Sequence, residues 1–408
     1  MKIAALLLVT CVPSSSASAA KWVSSWSSAQ LLVDASNALP EAAQKDATLR
    51  QLVRLSIGGT RIRVRISNAF GKTPLEIADA DVALAGSPAS SAIVPASDRR
   101  LTFSGQRSVF VPAGAEYLSD PVSLKVPALG TLAVSIHYAQ LPQAETGHPG
   151  SRATSYFESG DAVSQARFLG TSNVEHWYFI AGVDVEAADR SAAIAALGDS
   201  ITDGHGVITN SNGRWTDVLA DRLSRSPATR SLAVLNAGIG GNRVVNDGIG
   251  PNATARFGRD VLASSGVRYV ILLEGVNDLG VLTRDKPASA EQHRQMVASI
   301  LAAYRQMVER AHEHGIKMIG ATIMPDGASG YYHPDAANEA DRAAINSWIR
   351  SPGHFDAVID FDALMRDPRQ PNRLRKDYDL GDGLHPSPAG YRAMGEAVPL
   401  SLFSGGGR

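Results

Sequence analysis

Four short segments of this 408-residue chain hold residue types that could together form a hydrolytic site. Ser200 follows Gly198 and Asp199 on a turn, after the apolar run Ala192-Ala193-Ile194-Ala195-Ala196-Leu197. Asp382 and His385 stand three apart in Asp379-Leu380-Gly381-Asp382-Gly383-Leu384-His385-Pro386. A serine hydroxyl is a weak nucleophile and needs a base. An imidazole, whose unperturbed pKa of about 6.5 lies near neutrality, suits that task. A base of this kind must be neutral, so the rate is expected to fall on the acid side. Asp382 can hold the His385 ring in the right tautomer and stabilise the imidazolium that forms. The tetrahedral intermediate carries an oxyanion, for which the Ser200 N–H, the Gly241 N–H and the Asn277 amide are candidate donors. Gly240, adjacent to Gly241, could present the N–H instead.

Taken singly, each residue has a plainer reading. A serine in a turn is normally a cap or turn former, Asn277 could cap the segment after it, and Asp382 could be a turn residue. The four segments together shift the balance toward catalysis. Glu274, at a strand end, is a candidate wall residue of the substrate pocket or a hydrogen-bonded structural partner. Arg243 could meet a substrate carboxylate or sugar hydroxyl, or form a surface ion pair. His205 is a weaker candidate base than His385, because no orienting carboxylate is placed for it. The glycine-rich stretch after residue 236 fails as a nucleotide loop: Arg243 stands where the dinucleotide fingerprint wants glycine, and no Gly-Lys-Ser/Thr follows. No metal set and no cofactor are expected. Asp199, Asp203 and Asp382 are scattered, and His312 and His314 are too close along a helix to share a face.

These segments need a scaffold that brings them to one edge. From residue 191 the pattern alternates strands with helices, which predicts a parallel sheet with helices on both faces. The strands are read at 193–197, 232–235, 269–273, 318–323 and 357–361, as near-continuous apolar runs. Helices are read near 214–224, 254–264, 290–314, 338–350 and 388–402. In a parallel sheet all four segments lie at the carboxyl edge, where ligands collect in open α/β folds.

Residues 21 to about 185 read as all-β. Gln51–Ile57 and Arg61–Ile66 alternate apolar and polar residues, and Gly58-Gly59-Thr60 between them is a hairpin signal. The arginines of the second run form a row read as a solvated face rather than a binding surface. Further strands are expected at 81–84, 101–103, 108–111, 122–126, 131–138 and 176–185, which indicates a β-sandwich or jelly roll. Residues 142–175 are either a surface loop or an arm reaching the second half. The polar joint at 186–190 is the expected boundary. The expected organisation is thus a leader at 1–20, a β-domain at 21–190, an α/β domain at 191–403 and a flexible tail at 404–408.

Composition is ordinary for a globular protein, with 44% hydrophobic and 19% charged residues. A formal net charge of −1 offers no electrostatic reason to expect nucleic acid or an anionic membrane as partner. Lys2, an apolar stretch from Ile3 to Val12 and Ala17-Ser18-Ala19 read as an export signal with a cleavage site, giving a secreted or periplasmic chain. Cys11 is the only cysteine. Thr10 before it and the short segment ahead make it a poor lipoprotein cysteine, and its removal leaves no disulfide and no thiol nucleophile. No membrane span is expected.

The four segments, in this order, resemble the four blocks of the SGNH, or GDSL, hydrolases. Gly198-Asp199-Ser200 matches the first, Gly241 the second, Asn277 the third and Asp382-x-x-His385 the last, over residues 192 to about 403. The whole chain is similar to secreted two-domain bacterial GDSL esterases, with Ser200-Ile201-Thr202-Asp203-Gly204 and Tyr331-Tyr332 as further points of likeness. The resemblance implies a flavodoxin-like three-layer α/β/α domain behind the β-sandwich. It implies ester hydrolysis through an acyl-serine, with Ser200 as nucleophile, His385 as base, Asp382 as its orienter, and Gly241 and Asn277 completing the oxyanion hole. The expected substrates are small acyl esters, carbohydrate O-acetyl esters first, with lipid or aromatic esters as the alternative. A non-catalytic glycan-binding protein is the competing class.

Overall fold

The computed structural model describes residues 20–170 and 172–403. The expected leader through residue 19, Cys11 with it, and the tail 404–408 lie outside the described residues.

The longer strands of the first half are β1 (Trp22–Ser27), β2 (Lys45–Arg54), β3 (Gly59–Ser67), β4 (Asp79–Leu84), β5 (Val122–Val126), β6 (Thr131–Gln140), β7 (Thr146–His148), β8 (Ser155–Ser159) and β9 (Ile180–Glu186). One antiparallel sheet runs β1-β9-β3-β5; the other contains β8-β2-β6-β4. Their inner faces share one core, in which Leu49 and Val53 of β2 and Val134 of β6 join Ile62, Val64 and Ile66 of β3.

The expected hairpin between residues 51–57 and 61–66 does not form. β2 pairs with β6 and β8, whereas β3 pairs with β9 and β5, so Gly58-Gly59-Thr60 carries the chain from one sheet to the other. Both strands bury the same alternating stripe, and alternation reads alike whether the partner lies beside a strand or across the core. The chain leaves the ladder where Leu55 N–H donates to Gly130 O and Ser56 N–H to Ser25 O. The run at 101–103 forms only an isolated bridge, Phe103 with Gln106. The arginines of β3 are half-buried and paired: Arg63 with Asp184 (2.8 Å) and Arg61 with Glu186 (3.4 Å).

The second half holds β10 (Ala192–Gly198), β11 (Leu232–Gly238), β12 (Val267–Leu273), β13 (Lys317–Ala321) and β14 (Ala357–Ile359), parallel in the order β11-β10-β12-β13-β14. The chain steps from β10 to one side and then to the other. The crevice at the carboxyl end of β10 is therefore the topological switch point of a flavodoxin-like sheet. The helices are α1 (Ser200–Asp203), α2 (Trp215–Arg225), α3 (Ala253–Phe257), α4 (Val276–Arg284), α5 (Ala290–Glu313), α6 (Ala336–Arg350), α7 (Phe361–Met365) and α8 (Pro388–Ala397). α2 and α8 pack together on one layer; α3, α5 and α6 belong to the other. The helix expected at 254–264 is α3 continued by a π-turn at Gly258–Leu262, and α4 went unread because Gly275 and Asn277 look like loop residues.

The two halves touch closely. β1 packs on β10 and β11, and Ala193, Ala233 and Leu235 of the parallel sheet belong to the sandwich core. Ser56 Oγ donates to Val234 O (2.6 Å), and Arg54 pairs with Asp221 (2.6 Å). The stretch 142–175 is the arm of the two readings offered for it. Its β7 brings the His148 ring to Asp203 in α1, at 2.8 Å. Among the described residues no helix is long and apolar enough to cross a membrane.

Candidate active site

Ser200 is the first residue of α1, directly after β10. Asp199 caps the helix, its Oδ1 accepting from the Ile201 N–H (2.8 Å), and Gly204 at φ 94° ends it. The tight turn depends on missing side chains. A Cβ on Gly198 would lie 2.3 Å from Thr202 Oγ1, and one on Gly238 would lie 2.3 Å from the Asp203 nitrogen.

The Ser200 hydroxyl donates to His385 Nε2 (2.8 Å), and His385 Nδ1–H donates to Asp382 Oδ2 (2.6 Å). The other carboxylate oxygen accepts from the N–H groups of His385 (2.8 Å) and Leu384 (2.9 Å). Burial pushes the Asp382 carboxyl up, but the hydrogen bonds from His385 and Leu384 outweigh it and hold it below its ordinary value. An ionised Asp382 keeps the ring proton on Nδ1 and leaves the Nε2 lone pair facing the hydroxyl.

Gly240 and Gly241 sit in the turn after β11, closed by Asn242 N–H to Ile239 O (3.1 Å), and both line the cavity. Only Gly241 needs glycine conformationally, at φ 69°. Neither N–H has an acceptor among the described residues. Asn277, in the first turn of α4, is aimed from two sides. Its Nδ2 donates to Asn242 O (2.7 Å), and its Oδ1 accepts from the Tyr332 hydroxyl (2.7 Å). A flipped amide would set two acceptors against each other at Asn242. The amide orientation is therefore defined, with the second Nδ2 hydrogen left over.

Beneath these loops lies Arg256, whose side chain is fully buried. It donates to Gly198 O (2.9 Å), Ala237 O (2.6 Å) and Asn242 Oδ1 (2.9 Å), and pairs with Asp260 (3.0 Å). It thus ties together the ends of β10 and β11 and the Asn242 turn. As an arginine in a plain helical pattern it carried no sequence signal.

Glu274 is not a wall residue of the substrate pocket. It is 1% exposed, its two carboxyl oxygens have no partner among the described residues, and it does not line the cavity. Burial, with the nearby Asp199 charge second, pushes this carboxyl well above its ordinary range. The strand-end position is as read; the side chain turns into the protein behind the site. Its carbonyl accepts from the Tyr304 hydroxyl (2.6 Å).

The cavity over Ser200 has a volume of about 620 Å³. Arg243 lines it, as do Ile249, Val281, Tyr331, Tyr332 and Leu384. His205 does too, its ring centroid 4.1 Å from that of His385. Burial first, then the His385 charge, lowers the His205 pKa. No metal set was expected. The structure nonetheless brings ligand atoms of His205, Asp382 and His385 within 4.8 Å of one another, a juxtaposition made by folding rather than by spacing.

Residues 196–393 match the model of the GDSL-like Lipase/Acylhydrolase family. A 113-residue stretch, 28% of this chain and 39% of the relative, is 30% identical to the uncharacterized lipoprotein YqeF of Bacillus subtilis (strain 168). The match thus spans well under half of that relative's length. Similar solved structures include the following two. An acetyl xylan esterase, AlAXEase, is 20% identical, with 50% of this chain and 96% of that chain covered and a TM-score of 0.38. A GDSL-like lipase from Bacteroides thetaiotaomicron VPI-5482 is 19% identical, with 53% and 90% covered and a TM-score of 0.38.

Proposed function

Because residues 196–393 carry a GDSL-like lipase/acylhydrolase domain, we propose that the chain is a serine esterase that hydrolyses small acyl esters through an acyl-serine, outside the cytoplasm, with carbohydrate O-acetyl esters as its substrates. The observation that carries this reading is the unbroken relay Ser200 Oγ to His385 Nε2 (2.8 Å) and His385 Nδ1 to Asp382 Oδ2 (2.6 Å). His385 takes the hydroxyl proton as Oγ attacks the acyl carbon. The oxyanion is received by the N–H groups of Ser200 and Gly241 and the spare Nδ2 hydrogen of Asn277. His385 then returns the proton to the departing alcohol, and a water deprotonated by the same ring frees the acid.

Tyr331, 60% exposed on the cavity wall, offers an aromatic face of the kind that sugar rings pack against. The apolar wall of Ile249, Val281 and Leu384 favours a second reading, an esterase for aromatic or lipid esters. Nitrophenyl acetate and an acetylated xylan or pectin, each given to the native chain and to Ser200→Ala, test the proposal. Turnover of both, abolished in the variant, is expected. Turnover equal in the two chains would remove Ser200 from the mechanism. A rate peaking at long acyl chains would favour the second reading.

A further inference from the structure

The cavity wall carries more positive charge than the ester chemistry needs. Arg243 and Arg284 both line it, against one carboxylate, Asp382, whose oxygens are already engaged by His385 and Leu384. Arg284 is partly committed: it pairs with the exposed Asp285 (3.1 Å) and donates to the Tyr331 hydroxyl (2.9 Å). Arg243 is not. Among the described residues its guanidinium donates only to Asp247 O, and no carboxylate lies within ion-pair distance of it.

Beyond that one bond to Asp247 O, the loop is held by other groups. The N–H groups of Val244 and Val245 donate to Asp278 (2.8 and 3.2 Å), Asn252 donates twice to Asp247 Oδ1 (2.8 Å each), Asn242 Nδ2 donates to Pro251 O (2.8 Å), and Ala253 N–H donates to Arg243 O (2.8 Å). The loop is stitched by its backbone and carboxylates, and the arginine rides on it with donors to spare. A rigidly based guanidinium whose Nε and Nη1 donors are unengaged among the described residues, two residues past Gly241 on a partly apolar wall, is suited to receive an anion.

We propose that the ester this site takes carries a carboxylate on its alcohol side, received by Arg243 with Arg284 nearby. In the carbohydrate reading the substrate is then an ester of an acidic sugar. The inference rests on the esterase reading.

The test compares two acetyl esters that differ in this charge, 4-acetoxybenzoate and its methyl ester, each rate divided by that ester's own hydroxide-catalysed rate. The native chain is expected to favour the anionic ester about tenfold in kcat/KM, mostly through KM, and raised salt should erode the preference. Arg243→Gln should lower the ratio about tenfold, and Arg243→Lys should retain part of it, as a point charge without the fork. A native ratio at or below one, a ratio insensitive to salt, or an unchanged ratio in Arg243→Gln overturns the carboxylate while leaving the esterase standing. Should Arg243→Gln not fold, the native ratio and its salt dependence still decide. If neither ester is turned over, the esterase reading itself fails and takes this inference with it.

Discussion

The Asn277 amide has a donor on one side and an acceptor on the other, and that bracket makes it a directional group. Removing it should cost one oxyanion donor, so Asn277→Ala is expected to lower kcat for nitrophenyl acetate about 10²–10³-fold with little change in KM. Tyr332→Phe deletes only the hydroxyl that donates to Asn277 Oδ1 (2.7 Å). It should lower kcat about fivefold, the worth of one neutral hydrogen bond. Steady-state kinetics on both variants checks the order. A Tyr332→Phe enzyme with native kcat would mean that Asn242 alone aims the amide.

At the scale of elements, the helix that carries Ser200 is held from the other half of the molecule. Four residues cannot sustain a helix unaided, and α1 is fixed by its surroundings. His148 reaches it from β7, with Nε2 on Asp203 Oδ1 (2.8 Å) and Nδ1 on Ala29 O (2.8 Å), so the ring meets an acceptor at each nitrogen. Both side chains are about 95% buried. Arg214 adds a second tie, its Nε donating to Asp203 O (2.7 Å) while its Nη2 reaches Ser151 O in the arm. The arm approaches so closely that a Cβ on Gly150 would strike the Asp203 carboxylate. Asp203→Asn removes the negative charge of a buried pair and should lower unfolding free energy in urea by about 3 kcal/mol. Turnover should fall with it, because the same helix positions Ser200. A variant as stable as the native chain would show that the arm and α1 are not energetically linked.

The whole molecule stores ionisable groups against water, and this sets its pH response. Burial is the leading cause that pushes Asp199 up to about 7 and Asp278 and Asp326 up to about 6, from an ordinary value of 3.8. A carboxyl raised in the folded state binds its proton more tightly than the unfolded chain does. Its contribution to stability is full below about pH 4 and is lost as pH rises through the folded value. The depressed carboxylates, Asp382 and Asp360 among them, act in the opposite sense but only below about pH 4, outside that window. His205, its pKa lowered mainly by burial, opposes this up to about pH 6.5 but is one group against three, so thermal midpoints should fall between about pH 4 and pH 7. Asp199→Asn keeps an acceptor for the Ile201 N–H and removes the titration, so its decline over that range should be shallower. An identical slope in the two chains would place the titration elsewhere.

Much of the site was legible in the chain because a parallel sheet turns local information into shared position. Every strand runs the same way, so Ser200, Gly241 and Asn277, each read from the few residues after its own strand, reach one edge without knowledge of any contact. Asp382 and His385 are three apart, and their pairing is local too. What required the fold is whatever depends on a partner distant in sequence. Alternation showed that β2 and β3 each bury one face, yet it is blind to whether two such faces sit side by side or across a core. Glu274 stands at the strand end, where a pocket-wall residue or a hydrogen-bonded structural partner was expected, and the packing around it turns the side chain away from the cavity with its carboxyl oxygens unpartnered among the described residues. His148, Tyr332 and Arg256 act on the site through contacts spanning 55, 55 and 58 residues. Contacts of that length leave no period in the sequence, because closing such loops costs chain entropy that only the tertiary packing offsets.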